Sequence, residues 1–295
     1  MLLVNLGTPA APDAAAVRRY LAEFLSDPRV VKLPRWLWLP ILHWIVLKVR
    51  PERSAEKYAQ VWTPDGSPLA VYTARQAARL RERTGISVEY AMRYGEPSIA
   101  AALERLGGAE ITVVPLYPQY AESTTASVAD KIPPGLRMVQ DFHDHPAYLA
   151  ALAALVERHW AQHGRGSMLL MSFHGLPKRG AGGYERQCRT TGRLLAEALE
   201  MDESEWRVTF QSRFGFAEWL QPYTEPTLVA LAKSGLARAD VVCPGFVCDC
   251  LETLEELGIT ARKAFLEAGG REFHLVPCLN DSPQWIAALE RIALG

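Results

Sequence analysis

The chain has 295 residues, 49% of them apolar and 22% charged, a balance typical of globular proteins and long enough for two domains. A formal net charge of −1 argues against an electrostatic grip on nucleic acid, which needs a basic face. The five cysteines are odd in number and irregularly spaced, which argues against a disulfide framework and for a reducing, cytoplasmic setting.

From the amino terminus, Met1 leads straight into an apolar run, with no signal-peptide pattern. In the first half, strands are predicted over 2–6, 87–92, 111–116 and 136–140, and helices over 13–24, 72–83, 98–106 and 123–130. Segment 33–47 stands apart, because it holds Trp36, Trp38 and Trp44, three of the eight tryptophans. It is too short to span a bilayer and is interrupted by Arg35, Pro40 and His43. Two readings fit it: a core helix, or a surface for a membrane interface or a large flat apolar ligand, flanked by Lys32, Lys48 and Arg50. So much tryptophan in so short a stretch favours the surface.

The second half repeats the rhythm, with strands over 167–173, 208–211, 240–243 and 273–276. Its helices fall over 148–163, 184–200, 226–233, 250–267 and 283–294. The alternation predicts an α/β fold of two doubly wound, Rossmann-like domains, each with a four-stranded parallel sheet flanked by helices. The halves share an architecture but no sequence repeat. The boundary is expected within His143-Asp144-His145-Pro146, giving domains 1–146 and 147–295, with helix 283–294 packing back on the first domain. Two such domains facing each other would frame a cleft of strand ends, where ligands of this fold bind.

Those strand ends carry Gly7-Thr8-Pro9, Arg93-Tyr94-Gly95, Tyr117-Pro118-Gln119-Tyr120, His174-Gly175, Gln211-Ser212-Arg213 and Pro244-Gly245-Phe246. Neither a P-loop nor a strand-linked G-x-G-x-x-G is among them, which argues against a nucleotide ligand. Aromatic faces, arginines and one histidine suit a planar, apolar ligand bearing carboxylates. His174 follows the buried run Met168-Leu169-Leu170-Met171, and Gly175 and Pro177 force a turn directly after it. It fits either a base or metal ligand near neutral pH, or a residue that merely ties down the turn.

Asp249, Glu252 and Glu256 lie three and four apart at a helix start and share one face, a line of carboxylates able to pass a divalent cation. The competing reading is capping, with Asp249 as N-cap and Glu252 in the capping-box position. Cys243, Cys248 and Cys250 cluster in sequence, yet their spacing is not that of a zinc or iron–sulfur site, so structural thiols are the better account. Cys188 and Cys278 have no companions nearby in the chain.

Taken in order, these blocks resemble the ferrochelatases, which insert ferrous iron into a porphyrin. The resemblance begins with Asn5-Leu6-Gly7-Thr8-Pro9, Phe24-Leu25-Ser26-Asp27-Pro28-Arg29-Val30-Val31 and Gly66-Ser67-Pro68-Leu69. It continues through Pro115-Leu116-Tyr117-Pro118-Gln119-Tyr120, Ser123-Thr124-Thr125 and Phe173-His174-Gly175-Leu176-Pro177. Phe210-Gln211-Ser212-Arg213 with Trp219-Leu220, Cys243-Pro244-Gly245-Phe246 and Asp249-Cys250-Leu251-Glu252-Thr253-Leu254 complete it.

The resemblance implies two chelatase-type domains and the insertion of Fe2+ into protoporphyrin IX, the last step of haem biosynthesis. His174 and Glu252 match the family's catalytic pair and metal contacts, with Asp249 and Glu256 as an acidic relay. Arg93, Tyr94, Tyr117 and Trp219 match its porphyrin-lining positions, and segment 33–47, with Trp36 and Trp38, its apolar lip against a membrane surface. It further implies a monomer without nucleic-acid partners, cytoplasmic with peripheral membrane association, and with no required cofactor.

Some relatives carry an iron–sulfur cluster on a cysteine beside the Ser-Thr-Thr block and others in a C-terminal tail. Glu122 stands at that first position here and the chain stops at Gly295, so no such cluster is expected, while one built from Cys243, Cys248 and Cys250 stays open. Cys250 replaces a histidine found in many relatives, and Ala181-Gly182-Gly183-Tyr184 replaces Gly-Asp-Pro-Tyr. Three alternatives stand beside this reading: a coproporphyrin ferrochelatase, a chelatase for another divalent metal or tetrapyrrole, and a porphyrin-binding protein without chemistry.

Overall fold

The computed structural model describes residues 1–108, 110–215 and 217–295. The chain forms two compact units, Met1–Asp141 and Phe142–Gly295. Unit 1 runs β1 (Leu2–Gly7), α1 (Ala14–Ser26), α2 (Arg35–Ile41), a π-helical turn (Leu42–Val46), α3 (Leu47–Val61), α4 (Pro68–Thr84) and β2 (Glu89–Tyr94). It continues through α5 (Ile99–Leu106), β3 (Thr112–Pro115), a second π turn (Glu122–Ala126), α6 (Ser127–Ala129) and β4 (Arg137–Met138).

Unit 2 runs α7 (Pro146–His163), β5 (Leu169–His174), α8 (Gly182–Ala198), β6 (Trp206–Gln211), α9 (Thr224–Lys233) and β7 (Arg238–Val242). A π-helix (Glu252–Ala261), α10 (Arg262–Glu267), β8 (Glu272–Leu275) and α11 (Pro283–Leu294) complete it.

Each unit holds a four-stranded, all-parallel sheet, ordered β2-β1-β3-β4 in the first and β6-β5-β7-β8 in the second. The two orders are the same, and in each the direction of winding reverses at the first strand of the unit. The carboxyl ends of β1 and β3, and of β5 and β7, are therefore the places where this fold binds ligands.

Helices cover both faces of a parallel sheet, so its central strands are buried throughout. Leu169, Leu170, Met171 and Phe173 have no solvent exposure. Leu170 packs with Val241, Phe265 and Phe273, and in the first unit Leu2 and Val4 pack with Ala91, Val113 and Ala102. Each large apolar side chain so buried contributes about 1.5–3 kcal/mol. Ser172 is buried in the same strand because its hydroxyl meets Gln211 Oε1 and Thr224 Oγ1, both at 2.8 Å.

The C-terminal helix, expected to reach the first domain, belongs to unit 2 and packs on α7. There Trp285 lies 6.2 Å edge-on from Tyr148, and Phe142 5.4 Å from the same ring. The Tyr148 hydroxyl donates to the Pro244 carbonyl and so ties α7 to the loop after β7. Segment 33–47 is not a core helix. Trp36 is 79% exposed and Trp44 70%, while Leu33, Leu37, Ile45 and Val49 add exposed apolar surface along α2, the π turn and α3.

Candidate active site

His174 ends β5, half-buried, where the sequence predicts a strand giving way to a turn. Its Nδ1 lies 2.7 Å from the Gly175 carbonyl. A carbonyl only accepts, so Nδ1 carries the proton in the neutral ring and the lone pair sits on Nε2. Tyr184 holds the backbone here, its hydroxyl donating to the His174 carbonyl at 2.8 Å. Gly175 has to be glycine: a Cβ there would sit 2.6 Å from the Gln211 carbonyl oxygen and 3.3 Å from the Trp219 ring. The turn-tying reading of His174 therefore holds for Nδ1 and leaves Nε2 for chemistry.

Across from it, the acidic segment forms the π-helix rather than the α-helix predicted over 250–267. Bonds from i to i+5 place more than four residues in a turn, so Glu252 and Glu256 remain on one face. Longer π stretches are rare and concentrate at functional sites. The expected capping box does not form. The Asp249 amide, from which Glu252 would accept in such a box, donates instead to Asn280 Oδ1 at 2.9 Å.

Asp249 also departs from the relay expected of it. Its carboxylate accepts from Asn280 Nδ2 at 2.6 Å, and from Thr253 Oγ and the Cys278 amide at 3.2 Å. Those donors make Asp249 an anchor for the start of the helix.

Glu256 is gripped from one side. The amide of Ser212 donates to Oε1 and its hydroxyl to Oε2, each at 2.6 Å. Both reach because Ser212 adopts a left-handed backbone, φ +64°. Gln211 Nε2 donates to the Glu252 carbonyl at 2.8 Å and approaches Glu256 at 3.4 Å. Burial pushes the Glu256 carboxyl above its ordinary value, against the Ser212 bonds and the charge of His174, with Glu252 adding to the rise. Behind Gln211 a chain of buried hydroxyls runs through Ser172 and Thr224 to Thr209. The sequence places Ser212 at a strand end but assigns no role to it or to these hydroxyls, since no residue pattern announces a left-handed serine.

In unit 1, Arg93 and Tyr94 do not face a ligand as expected. Tyr94 has no exposed surface, and its hydroxyl donates to Asp27 Oδ2 at 2.8 Å. Arg93 lies over the Tyr94 ring at 4.4 Å, donating to the same Asp27 oxygen at 2.6 Å and to the Ser127 carbonyl at 2.8 Å. Ser127 Oγ also donates to Asp27, at 2.7 Å. Burial alone would raise the Asp27 carboxyl. The bonds from Ser127, the Arg29 amide and Tyr94, with the charge of Arg93, outweigh it and hold Asp27 below its ordinary value.

Tyr117 packs at the edge of the same core, and its buried hydroxyl has no partner among the described residues. The Trp219 indole N–H in unit 2 is likewise buried and unpaired. Trp38 is pinned by its indole N–H to the Leu25 carbonyl at 2.6 Å, and Trp36 stands free in solvent. All five cysteines are buried and none is in a disulfide, and burial pushes the thiols of Cys188, Cys243, Cys250 and Cys278 well up.

The ferrochelatase family model matches residues 1–294. The curated ferrochelatase of Azoarcus sp. (strain BH72) is 56% identical, over 99% of this chain and 85% of that one. The ferrochelatase of Aromatoleum aromaticum is 55% identical over 99% and 86%, and that of Bordetella pertussis 54% over 98% and 85%.

Among solved structures the fold is similar to CbiX, described as the terminal enzyme of sirohaem biosynthesis in denitrifying bacteria. That match has a TM-score of 0.53 and 16% identity over 99% of this chain and 96% of that one. SirB from Bacillus subtilis with Fe3+ matches with a TM-score of 0.55 and 18% identity, over 77% and 92%. These two likenesses concern the fold. With one family model spanning both units and relatives 55–56% identical over 99% of this chain, the chain belongs to the ferrochelatases, metal-chelatase enzymes of the lyase class.

Proposed function

We propose that this protein inserts Fe2+ into protoporphyrin IX to form protohaem, releasing two protons, as the last step of haem biosynthesis. The observation that carries the reading is the pairing of a histidine oriented through Nδ1, so that Nε2 is free, with a Glu256 carboxyl gripped by Ser212 and pushed by burial above its ordinary value.

A free-base porphyrin holds two protons on its inner nitrogens, and both must leave before a metal enters the plane. The neutral His174 Nε2 accepts one proton at a time from a pyrrole N–H. Glu252 and Glu256, on one face of the π-helix, carry protons away or replace water on the arriving iron. Ser212 and Gln211 hold Glu256 in place, so the carboxyl needs no rearrangement when its charge changes. Asp249 acts through structure, fixing the helix start. Arg93 and Tyr94 act as positioning residues for the wall of unit 1, with Tyr117 and Trp219 as aromatic surfaces for the ring.

The exposed lip with Trp36 and Trp44, with Lys48 over the Trp44 ring at 4.9 Å, suits contact with a flat apolar ring or a membrane surface. No described helix is long and apolar enough to cross a membrane. We read the protein as a cytoplasmic, peripherally associated monomer. The reaction needs no resident cofactor, and the buried thiols are read as structural.

Anaerobic mixing with protoporphyrin and Fe2+, Zn2+ or Co2+ tests this through the porphyrin absorption spectrum. Metallation supports the proposal. A bound ring that stays metal-free defeats it, and much faster metallation of coproporphyrin reassigns the substrate.

A further inference from the structure

Three of the seven histidines gather far from His174. His159 and His163 are one helical turn apart at the end of α7, and His274 reaches them from β8. Their ring centres are 4.6 Å (His159–His163), 5.4 Å (His163–His274) and 5.7 Å (His159–His274) apart. We infer that His159, His163 and His274, with Glu272 beside them, form a binding site for one divalent transition-metal ion of the zinc class.

The geometry suits such an ion. Zn–N bonds of about 2.0–2.1 Å put a ring centre roughly 3.2 Å from the metal, so tetrahedral ligation sets ring centres about 5 Å apart. The three observed separations bracket that value. The ring nitrogens do not converge on one point in this structure, so binding has to turn the rings inward about their side-chain torsions. Two histidines four apart on a helix with a third from another element form a ligand set that zinc-class ions favour over Mg2+ or Ca2+. Glu272 supplies the fourth group, one of its oxygens lying 3.7 Å from His274 Nε2.

A second observation points the same way. His159 Nε2 is buried and has no hydrogen-bond partner among the described residues. A native buried nitrogen without a partner calls for an explanation, and a bound ion supplies one. The nearby cation is Arg238, whose Nη1 also lies 3.8 Å from Glu272 and competes with the ion for that carboxylate. Arg238 is engaged by Asp240 at 2.9 Å and by the carbonyls of His163 and Gly164, both at 2.6 Å. Asp240 in turn accepts from the Trp160 indole at 2.7 Å and the Gly166 amide at 3.0 Å.

The site is separate from the insertion centre. His274 pairs with Asp240 and Asp240 with Leu169, while His174 lies at the other end of the same strand as Leu169. At ~3.3 Å per residue the two levels are about 16 Å apart along the sheet. An ion here would clip the end of α7 to β8, the edge strand of the sheet.

Co2+ titration of the full-length His174→Ala protein tests the inference without metal binding at the insertion centre. We expect one equivalent to bind with the visible bands of tetrahedral cobalt, and Zn2+ to displace it and raise the melting temperature. Adding His163→Ala, an exposed position that leaves the fold intact, weakens binding on the order of 100-fold or more and removes the thermal shift. His274→Gln does the same. Undiminished Co2+ binding in either variant, or no tetrahedral bands in the His174→Ala protein, overturns the site.

Discussion

The two units end their leading strand pairs on the same device and use it for opposite purposes. Gly7 at the end of β1 lies so close to β2 that a Cβ would sit 1.8 Å from the Tyr94 carbonyl oxygen. Gly175, just past β5, stands in the same relation to Gln211 at the end of β6. In unit 1 the side chains at this corner close on a buried carboxylate, Asp27, with Arg93, Tyr94 and Ser127 all donating to it. In unit 2 the matching carboxyl is Glu256, half-buried and held by Ser212 with a longer approach from Gln211, with no cation hydrogen-bonded to it among the described residues and its pKa pushed up. A fully paired carboxylate is a structural tie, whereas a half-paired one is available to protons. Backbone geometry is thus shared, and the supply of donors separates scaffold from chemistry.

The largest effect that would sharpen this contrast is on the chemical side. His174→Ala should lower metal insertion by about 10²–10⁴-fold while the protein folds and binds porphyrin, checked by porphyrin absorbance and fluorescence quenching. Full activity would remove His174 from the mechanism.

On the structural side, Asp27→Ala leaves the Arg93 guanidinium buried without its partner. Removing one member of a buried ion pair costs about 3–5 kcal/mol, to be read from urea unfolding. A cost below that of Glu256→Gln would break the distinction drawn between the two carboxyl groups.

Gly175→Ala forces its Cβ onto the Gln211 carbonyl and should cost about 1–3 kcal/mol, with insertion slowed because Gln211 orients Glu252 and Glu256. Wild-type stability with wild-type activity in this variant would show that the corner is not tightly packed.

The smallest effects are opposite pH dependences. The Asp27 pKa is lowered by folding, so its stabilisation is held above the unfolded value near 3.8 and lost as pH falls through the folded value. The Glu256 pKa is raised, so its contribution is full below the unfolded value near 4.5 and lost as pH rises through the folded value. Glu256→Gln should therefore gain stability relative to the wild type as pH rises from 4.5 through the folded value, and Asp27→Asn should lose least below pH 3.8. Parallel unfolding curves across pH for all three proteins would contradict both assignments.

Much of this architecture is legible in the chain. The central strands β1, β3 and β5 lie where an apolar run meets a glycine or proline, because a strand covered on both faces must be largely apolar along its length. The tryptophan-rich segment was equally readable, since a core helix has no use for side chains such as Trp36 and Trp44 at its surface. A strand-end arginine beside an aromatic suits a planar acid, and the resemblance implies that Arg93 and Tyr94 face such a ring. Their commitment to Asp27, some 66 residues earlier, is a pairing that local pattern cannot express.

By itself, then, the sequence determined the strand–helix alternation, the turn that presents His174 and the acidic face with Glu252 and Glu256. Each depends on residues close together in the chain, where periodicity and turn chemistry act directly. Only the tertiary structure decided that Asp249 is an anchor, that Ser212 grips Glu256, that Tyr94 is buried and that the distant His274 meets His159 and His163. Those outcomes depend on which donors arrive around a buried group from remote elements, and burial makes that balance decisive.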